Sequence, residues 1–486
     1  MSLATVVLAA VLAAATSVHL PVSTNDPQAQ ASIDNGLFLY YAYNGTDAAR
    51  SFARAAALEP RLAMAYWGMA LGDGPDLNTA ITAERFDQAA AAIRQASALA
   101  AALPARERSL VTIMAQRYRG SFENWASDDA AYREAMLVFA KSSQDENVEL
   151  LAAEALLEAG GLAWQHGTLA SEESREALDL VTMVLRSDPS SVMANHLCIH
   201  LYDLAPDRSP AQECAQRLDA AVFPPEAEHL AHMPAHYWIE TGNYRAALSS
   251  SERSYALLQQ IDESAPSSEH VSHYAKHDVA VGYSAAMMLG NYVIAELWAR
   301  RMASVFGTGF DSVTALRFGR YEAAYAANAN EFGGSSVHGL AALALGHSSE
   351  AHLIAARLRG GNLTQGYLPQ LLLARVAEAD GKYDEAERWI ARSKANQLAS
   401  FAGELIPLLP ADEALGDLRL RHGDNNGAIA AFTDALATYP NDPRALFGLA
   451  TATAAAGDNV QAAAARARFD AEWEGADTQL DGTLLL

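Results

Sequence analysis

The sequence predicts an all-α fold, a solenoid of stacked antiparallel helix pairs, and three observations carry that expectation. Hydrophobic residues make up 51% of the 486, yet only 8% are aromatic, because alanine supplies much of the apolar content. Alanine loses no side-chain entropy in a helix and lets two helices approach closely. A short pattern also recurs, in which a glycine is followed by an alanine that opens a second helix. It reads Gly242 to Ala247, Gly290 to Ala295, Gly319 to Ala324, Gly346 to Ala351, Gly381 to Ala386, Gly423 to Ala428 and Gly457 to Ala462. The glycine suits a sharp turn that needs positive φ, and the alanine suits the point where the next helix touches its neighbour. Strand signals are almost absent. A chain this long exceeds one ordinary core, and a repeat array answers that by stacking each unit on the next.

Taken in chain order, Leu3 to Ala15 form an apolar stretch of signal-peptide length. Small residues follow at Ala13 to Ser17, with a second A-x-A at Ala29 to Ala31, although the first basic side chain is Arg50. A leader over residues 1–31 and a periplasmic or secreted location are expected. No later run reaches transmembrane length without charges, so no integral membrane domain is expected after its removal. Residues 32–185 read as N-terminal helical repeats, with Ala49, Phe52, Ala55 and Pro60 preceding the helix AMAYWGMAL. Residues 186–300 form a histidine-rich centre, residues 301–476 the C-terminal repeats and residues 477–486 a tail. Breaks are expected near Asp73–Asp76, Ser187–Ser191, Pro206–Ser209, Asp262–Ser268 and Gly360–Gly366.

The last two glycine turns lie 34 residues apart, and GDNNGAIAAFTDALATYP places Ala428, Phe432, Ala435 and Pro440 at regular offsets. On these residues the chain resembles tetratricopeptide repeats, whose period is 34. The resemblance runs from about Asn35 to Glu474. Longer spacings, such as the 48 residues from Gly242 to Gly290, mark repeats lengthened by loops.

Composition also excludes classes. Lys and Arg total 34 against 58 Asp and Glu, a formal charge of −24. Nothing in that balance neutralises a phosphate backbone, so nucleic acid is not an expected partner. The two cysteines, Cys198 and Cys214, form neither a disulfide framework nor a cysteine zinc motif, and sequence does not decide whether they pair. Phosphate-binding glycine loops, the nucleophile elbow and H-E-x-x-H are all missing.

Eight of the 14 histidines fall between His196 and His277. In NHLCIHLYD, His196, His200 and Asp203 stand at i, i+4 and i+7. In EHLAHMPAH, His229, His232 and His236 stand at i, i+3 and i+7, beside Glu228. His273 and His277 form a third i, i+4 pair, followed by Asp278. At about 100° per residue each set points from one helical face. Lone histidines on repeat helices are more often packed or exposed, as expected of His166, His338, His347, His352 and His422. Three such sets in consecutive segments instead predict a metal site, because two imidazoles one turn apart can hold one divalent ion. The expected ligands are His196, His200, His229, His232, His236 and His277, with Asp203, Glu228 and Asp278 able to orient the rings. Pro234 is expected to kink or start a helix and to turn His236 away from the face of His229.

With these motifs the chain resembles a group of bacterial tetratricopeptide proteins related to the StaR-like family. The resemblance lies in NHLCIHLYD, HLAHMPAH and the early AYWGMALGDGPDLN. It implies that His196, His200, His229, His232, His236 and His277 occupy motif positions. The third segment departs from that pattern, with Asp278 in place of asparagine and no second histidine after it.

Two kinds of function follow as expectations. One is a metal site for Zn, Cu, Fe or Ni, serving an enzyme in which the ion activates water or oxygen; no catalytic residue is assigned. The other is a scaffold whose groove grips a peptide or protein partner.

Overall fold

A computed structural model describes residues 18–160, 163–165, 167–264, 269–326, 330–359, 366–400 and 405–480. It is 75% helical. The strands among the described residues are two-residue pieces, β1 (Trp164–Gln165) and β2 (Thr168–Leu169), paired antiparallel. No helix among the described residues is long and apolar enough to cross a membrane. The predicted leader lies mostly outside the described residues, as do His166 and residues 481–486.

The chain forms two compact units. The first comprises Met1–Tyr237 with Arg253–Tyr274, and the second comprises Trp238–Glu252 with Ala275–Leu486. The helices that begin in the first unit are α1 (Pro27–Tyr41), α2 (Gly45–Leu58), α3 (Ala63–Gly72), α4 (Ala83–Leu99), α5 (Ala105–Arg117), α6 (Trp125–Ser142), α7 (Glu146–Gly160), α8 (Glu172–Ser187), α9 (Val192–Tyr202), α10 (Gln212–Ala220), α11 (Glu228–His232) and α12 (Pro234–Glu240). Side-chain caps start several of them. Asp26 accepts from the amides of Gln28 and Ala29, Thr82 from Arg85, and Ser191 from Ala194, each satisfying backbone donors left over at a helix start. Short connections make neighbours antiparallel, and α1 also packs on α3, and α3 on α5.

The aromatic residue at the heart of the repeat needs glycine on both sides. Phe52 on α2 is fully buried, and its ring lies so close to Gly36 on α1 and Gly68 on α3 that neither has room for a Cβ. In the second unit Phe432 stands in the same relation to Gly416 and Gly448. Each glycine is 16 residues from its phenylalanine, a spacing that composition and the Gly-to-Ala pattern leave unread.

In the second unit all seven turn glycines adopt positive φ, from +68° at Gly290 to +88° at Gly457. Ala247, Ala295, Ala324, Ala351, Ala386 and Ala428 are buried as expected. Ala462 is the exception, half-exposed on the helix Asn459–Glu472, where Ala465 and Phe469 carry the packing instead. No later helix among the described residues covers that face. First helices of successive pairs stack on one another, as with Ala411–Arg421 and Pro443–Ala455. This is a tetratricopeptide-type helical-repeat fold.

Of the expected breaks, residues 73–82 separate α3 from α4 and residues 188–191 separate α8 from α9. The helix Tyr244–Ser264 ends within the expected break Asp262–Ser268 and the next helix begins at Glu269, with residues 265–268 outside the described residues. Gly360 and residues 361–365 lie outside the described residues.

Candidate metal centre

Helix α9 is buried on nearly every side, so its two imidazoles face the interior rather than solvent. His196 is fully buried, and its Nδ1 lies 2.9 Å from the carbonyl oxygen of Tyr41, the last residue of α1. A carbonyl only accepts, so Nδ1 carries the proton and Nε2 presents a lone pair. That Nε2 lies 3.1 Å from Nε2 of His200. On the far side of His200, Nδ1 is 3.4 Å from Asp203 Oδ2, the position from which a carboxyl orients a ligating ring. The helix ends at Tyr202 with Asp203 as its C-cap, and Leu204 follows with φ +60°. A disulfide joins Cys198, between the two histidines, to Cys214 on α10.

His229 enters from α11, fully buried, with neither ring nitrogen hydrogen-bonded among the described residues. Its ring is 5.1 Å from that of His196 and 4.4 Å from that of Tyr274. Ligand atoms of His196, His200 and His229 all lie within 4.8 Å of one another. Pro234 begins α12 immediately after α11, yet His232 and His236 still meet, Nε2 to Nε2, at 3.0 Å. Ring centroids of His229 and His232, and of His200 and His236, are each 6.0 Å apart. Five of the six expected ligands therefore converge in the first unit.

His277 is half-buried on the helix Glu269–Met288, in the portion assigned to the second unit, and Asp278 is buried beside it in sequence. Glu228 accepts a hydrogen bond from Ser254 Oγ at 3.2 Å. Among the scattered histidines, His338, His352 and His422 pair with Glu350, Asp380 and Glu378 at 2.8–3.0 Å.

Burial sets the protonation of the cluster. It drives the pKa of His196 and His229 well below the usual imidazole value, with neighbouring histidines adding to the effect, and lowers that of His200 to about 4. These rings are neutral at physiological pH, the form that binds a metal. Burial raises Asp203 to about 8, opposed by Arg208.

Sequence reasoning missed a second group of polar residues in the same unit. Tyr43, between α1 and α2, holds φ +55°, and its ring lies 4.3 Å from that of His196, 5.9 Å from His200 and 5.5 Å from His229. Its buried hydroxyl has no hydrogen-bond partner among the described residues. Burial raises its pKa, and the next largest causes are the charges of Glu154 and Asp76. Glu154 and Glu158 stand one turn apart in the second half of α7, where leucine and alanine surround them. Burial raises Glu154, and the charge of Glu158 adds to this. It also lifts Glu158 to about 7 against the opposing Arg117, and Asp76 to about 6. Arg117 is fully buried, paired with Glu158 and with Asp129 at 2.9 Å.

The chain matches no protein-family model and no curated protein. Among solved structures, it is similar to the APC/C hetero-tetramer Cut9–Hcn1 at 12% identity and a TM-score of 0.36, over 98% of this chain and 83% of that one. It is also similar to the human IFIT1 dimer with PPP-AAAA at 13% identity and a TM-score of 0.31, over 92% and 95%. These similarities assign no function.

Proposed function

We propose that the first unit binds a divalent transition metal through His196, His200 and His229, and that the ion serves catalysis by activating water or oxygen. The observation that carries this reading is the meeting of three neutral imidazoles, two buried and one partly buried, of which His229 has no hydrogen bond at either nitrogen among the described residues. A buried polar atom without a partner costs about 1–3 kcal/mol, and a metal bond would remove that penalty at one nitrogen of His229. Three protein ligands leave a coordination position open, the arrangement of catalytic rather than structural sites. The nitrogen-rich donor set suits Zn, Cu, Fe or Ni. Similarity to the StaR-like group belongs to the same proposal and rests on the histidine segments together with the early AYWGMALGDGPDLN.

Export is part of this reading. A disulfide between Cys198 and Cys214 fits an oxidising compartment. Leu20 is fully buried, and Ser23 and Thr24 donate hydrogen bonds to Glu107 and Glu59, so cleavage near Ser17 would preserve packing that cleavage near Ala31 would destroy. N-terminal sequencing of protein from its native host should therefore begin between Thr16 and His19. A start at Met1 would contradict export.

The fold also fits a protein-interaction scaffold. A groove of about 560 Å³, lined by Arg108, Thr112 and Gln116 from α5 and Glu134, Val138 and Ser142 from α6, is the feature favouring that second reading. Elemental analysis of protein purified without a polyhistidine tag separates the two. The metal reading predicts bound metal that falls by about one ion per chain in His196→Ala, whereas a pure scaffold carries none in either form.

A further inference from the structure

A single ion does not account for the five histidines that the first unit gathers. Tetrahedral sites close at four ligands, and with Zn–N bonds of about 2.0–2.1 Å two nitrogens on one ion lie roughly 3.3 Å apart. Two pairs in this unit already approach that spacing separately: His196 and His200 at 3.1 Å, and His232 and His236 at 3.0 Å, Nε2 to Nε2 in both. Each pair stands four residues apart, His196 and His200 within α9 and His232 and His236 across the junction of α11 and α12, and each joins residues that are buried or nearly so. His229 stands beside both, its ring 5.1 Å from that of His196 and 6.0 Å from that of His232. The ring of His236 lies 6.0 Å from that of His200. The pairs are therefore neighbours without being merged, the relation expected of ligands to two ions.

We infer that the first unit holds a two-metal centre, one divalent transition metal ion on His196, His200 and His229 and a second on His232 and His236. Two-metal sites hold their ions about 3.5–4 Å apart and act on one small ligand from both sides. The inference rests on the metal reading above, extends it to a second ion, and can fail while that reading stands.

The test uses the full chain, without a polyhistidine tag, stripped with chelator and titrated with Cu(II). Copper retained after gel filtration should reach two ions per chain. The electron paramagnetic resonance spectrum should lose most of its mononuclear intensity through coupling between the two. His232→Gln/His236→Gln should retain one ion with a full mononuclear signal. One ion per chain in the unaltered protein would overturn the second site and leave the first intact. No copper at all would overturn both. Two ions with uncoupled spectra, or two still bound in the double variant, would place the second ion elsewhere and overturn the inference. The spectrum of the unaltered chain decides the matter even where the double variant does not fold.

Discussion

His229→Leu should change the sign of its effect on stability according to whether metal is present. In the metal-free protein the fully buried imidazole carries two ring nitrogens without hydrogen bonds. Leaving a buried polar atom unpaired costs about 1–3 kcal/mol, so an apolar side chain of similar size removes about 2–6 kcal/mol of penalty at the two nitrogens. Against this, contacts with the rings of Tyr43 and Tyr274, 5.5 and 4.4 Å away, are lost, at about 0.5–1.5 kcal/mol each. The variant should therefore exceed the unaltered protein by about 1–3 kcal/mol in chelator. A ligand at a thousand times its dissociation constant stabilises the native state by about 4 kcal/mol, a gain open to the unaltered chain and largely lost without His229. For domains of 150–250 residues each kcal/mol shifts Tm by about 2–4 °C, so zinc should raise the midpoint by roughly 10 °C and reverse the order of the two proteins. Thermal unfolding followed by circular dichroism, in EDTA and in excess zinc, reads both differences. A variant less stable than its parent in EDTA, with neither protein responding to zinc, would refute the reasoning.

Three further outcomes follow from the packing and electrostatics. Phe432→Ala should cost about 3–5 kcal/mol in urea denaturation, because the glycines flanking the fully buried ring cannot fill the space; a loss under about 1 kcal/mol would contradict the Gly–Phe–Gly account. Asp76, raised from 3.8 to about 6 by burial, contributes stability that is fully present below its unfolded pKa and is lost as pH rises through about 6. Measured by denaturation in chelator, the stability of Asp76→Asn relative to its parent should therefore grow by about 3 kcal/mol between pH 3 and pH 7, and a constant difference would count against the buried-carboxyl assignment. Replacing both Cys198 and Cys214, 16 residues apart, with serine should lower stability by about 3 kcal/mol, the chain-entropy value for a loop of that length; an unchanged denaturation midpoint would mean the pair is not bridged in solution.

What the sequence revealed and what it hid follow from how local each cause is. A left-handed turn is a requirement of one residue, so Gly242, Gly290 and their successors are legible from spacing alone. The i, i+4 pair His196–His200 is equally local, since one turn of α9 brings the side chains together. Ala462 misleads because burial at that position needs a following helix, and none follows Asn459–Glu472 among the described residues. Pro234 starts α12, one of the two outcomes its missing backbone donor allows, and leaves His236 against His232. Tyr43, Asp76 and Glu154 stayed hidden because only the tertiary stacking of α1, α3, α7 and α9 places them in one interior. The pairing of Cys198 with Cys214 likewise depends on where α10 packs.

The central claim is that His196, His200 and His229 share a metal ion, and anomalous diffraction from crystals of tag-free protein grown with zinc tests it most directly. The account predicts an anomalous peak about 2.0–2.1 Å from a ring nitrogen of each of the three, with His196 Nδ1 still donating to the Tyr41 carbonyl. Zinc bound only at surface carboxylates, with the three imidazoles in contact with protein atoms alone, would contradict it.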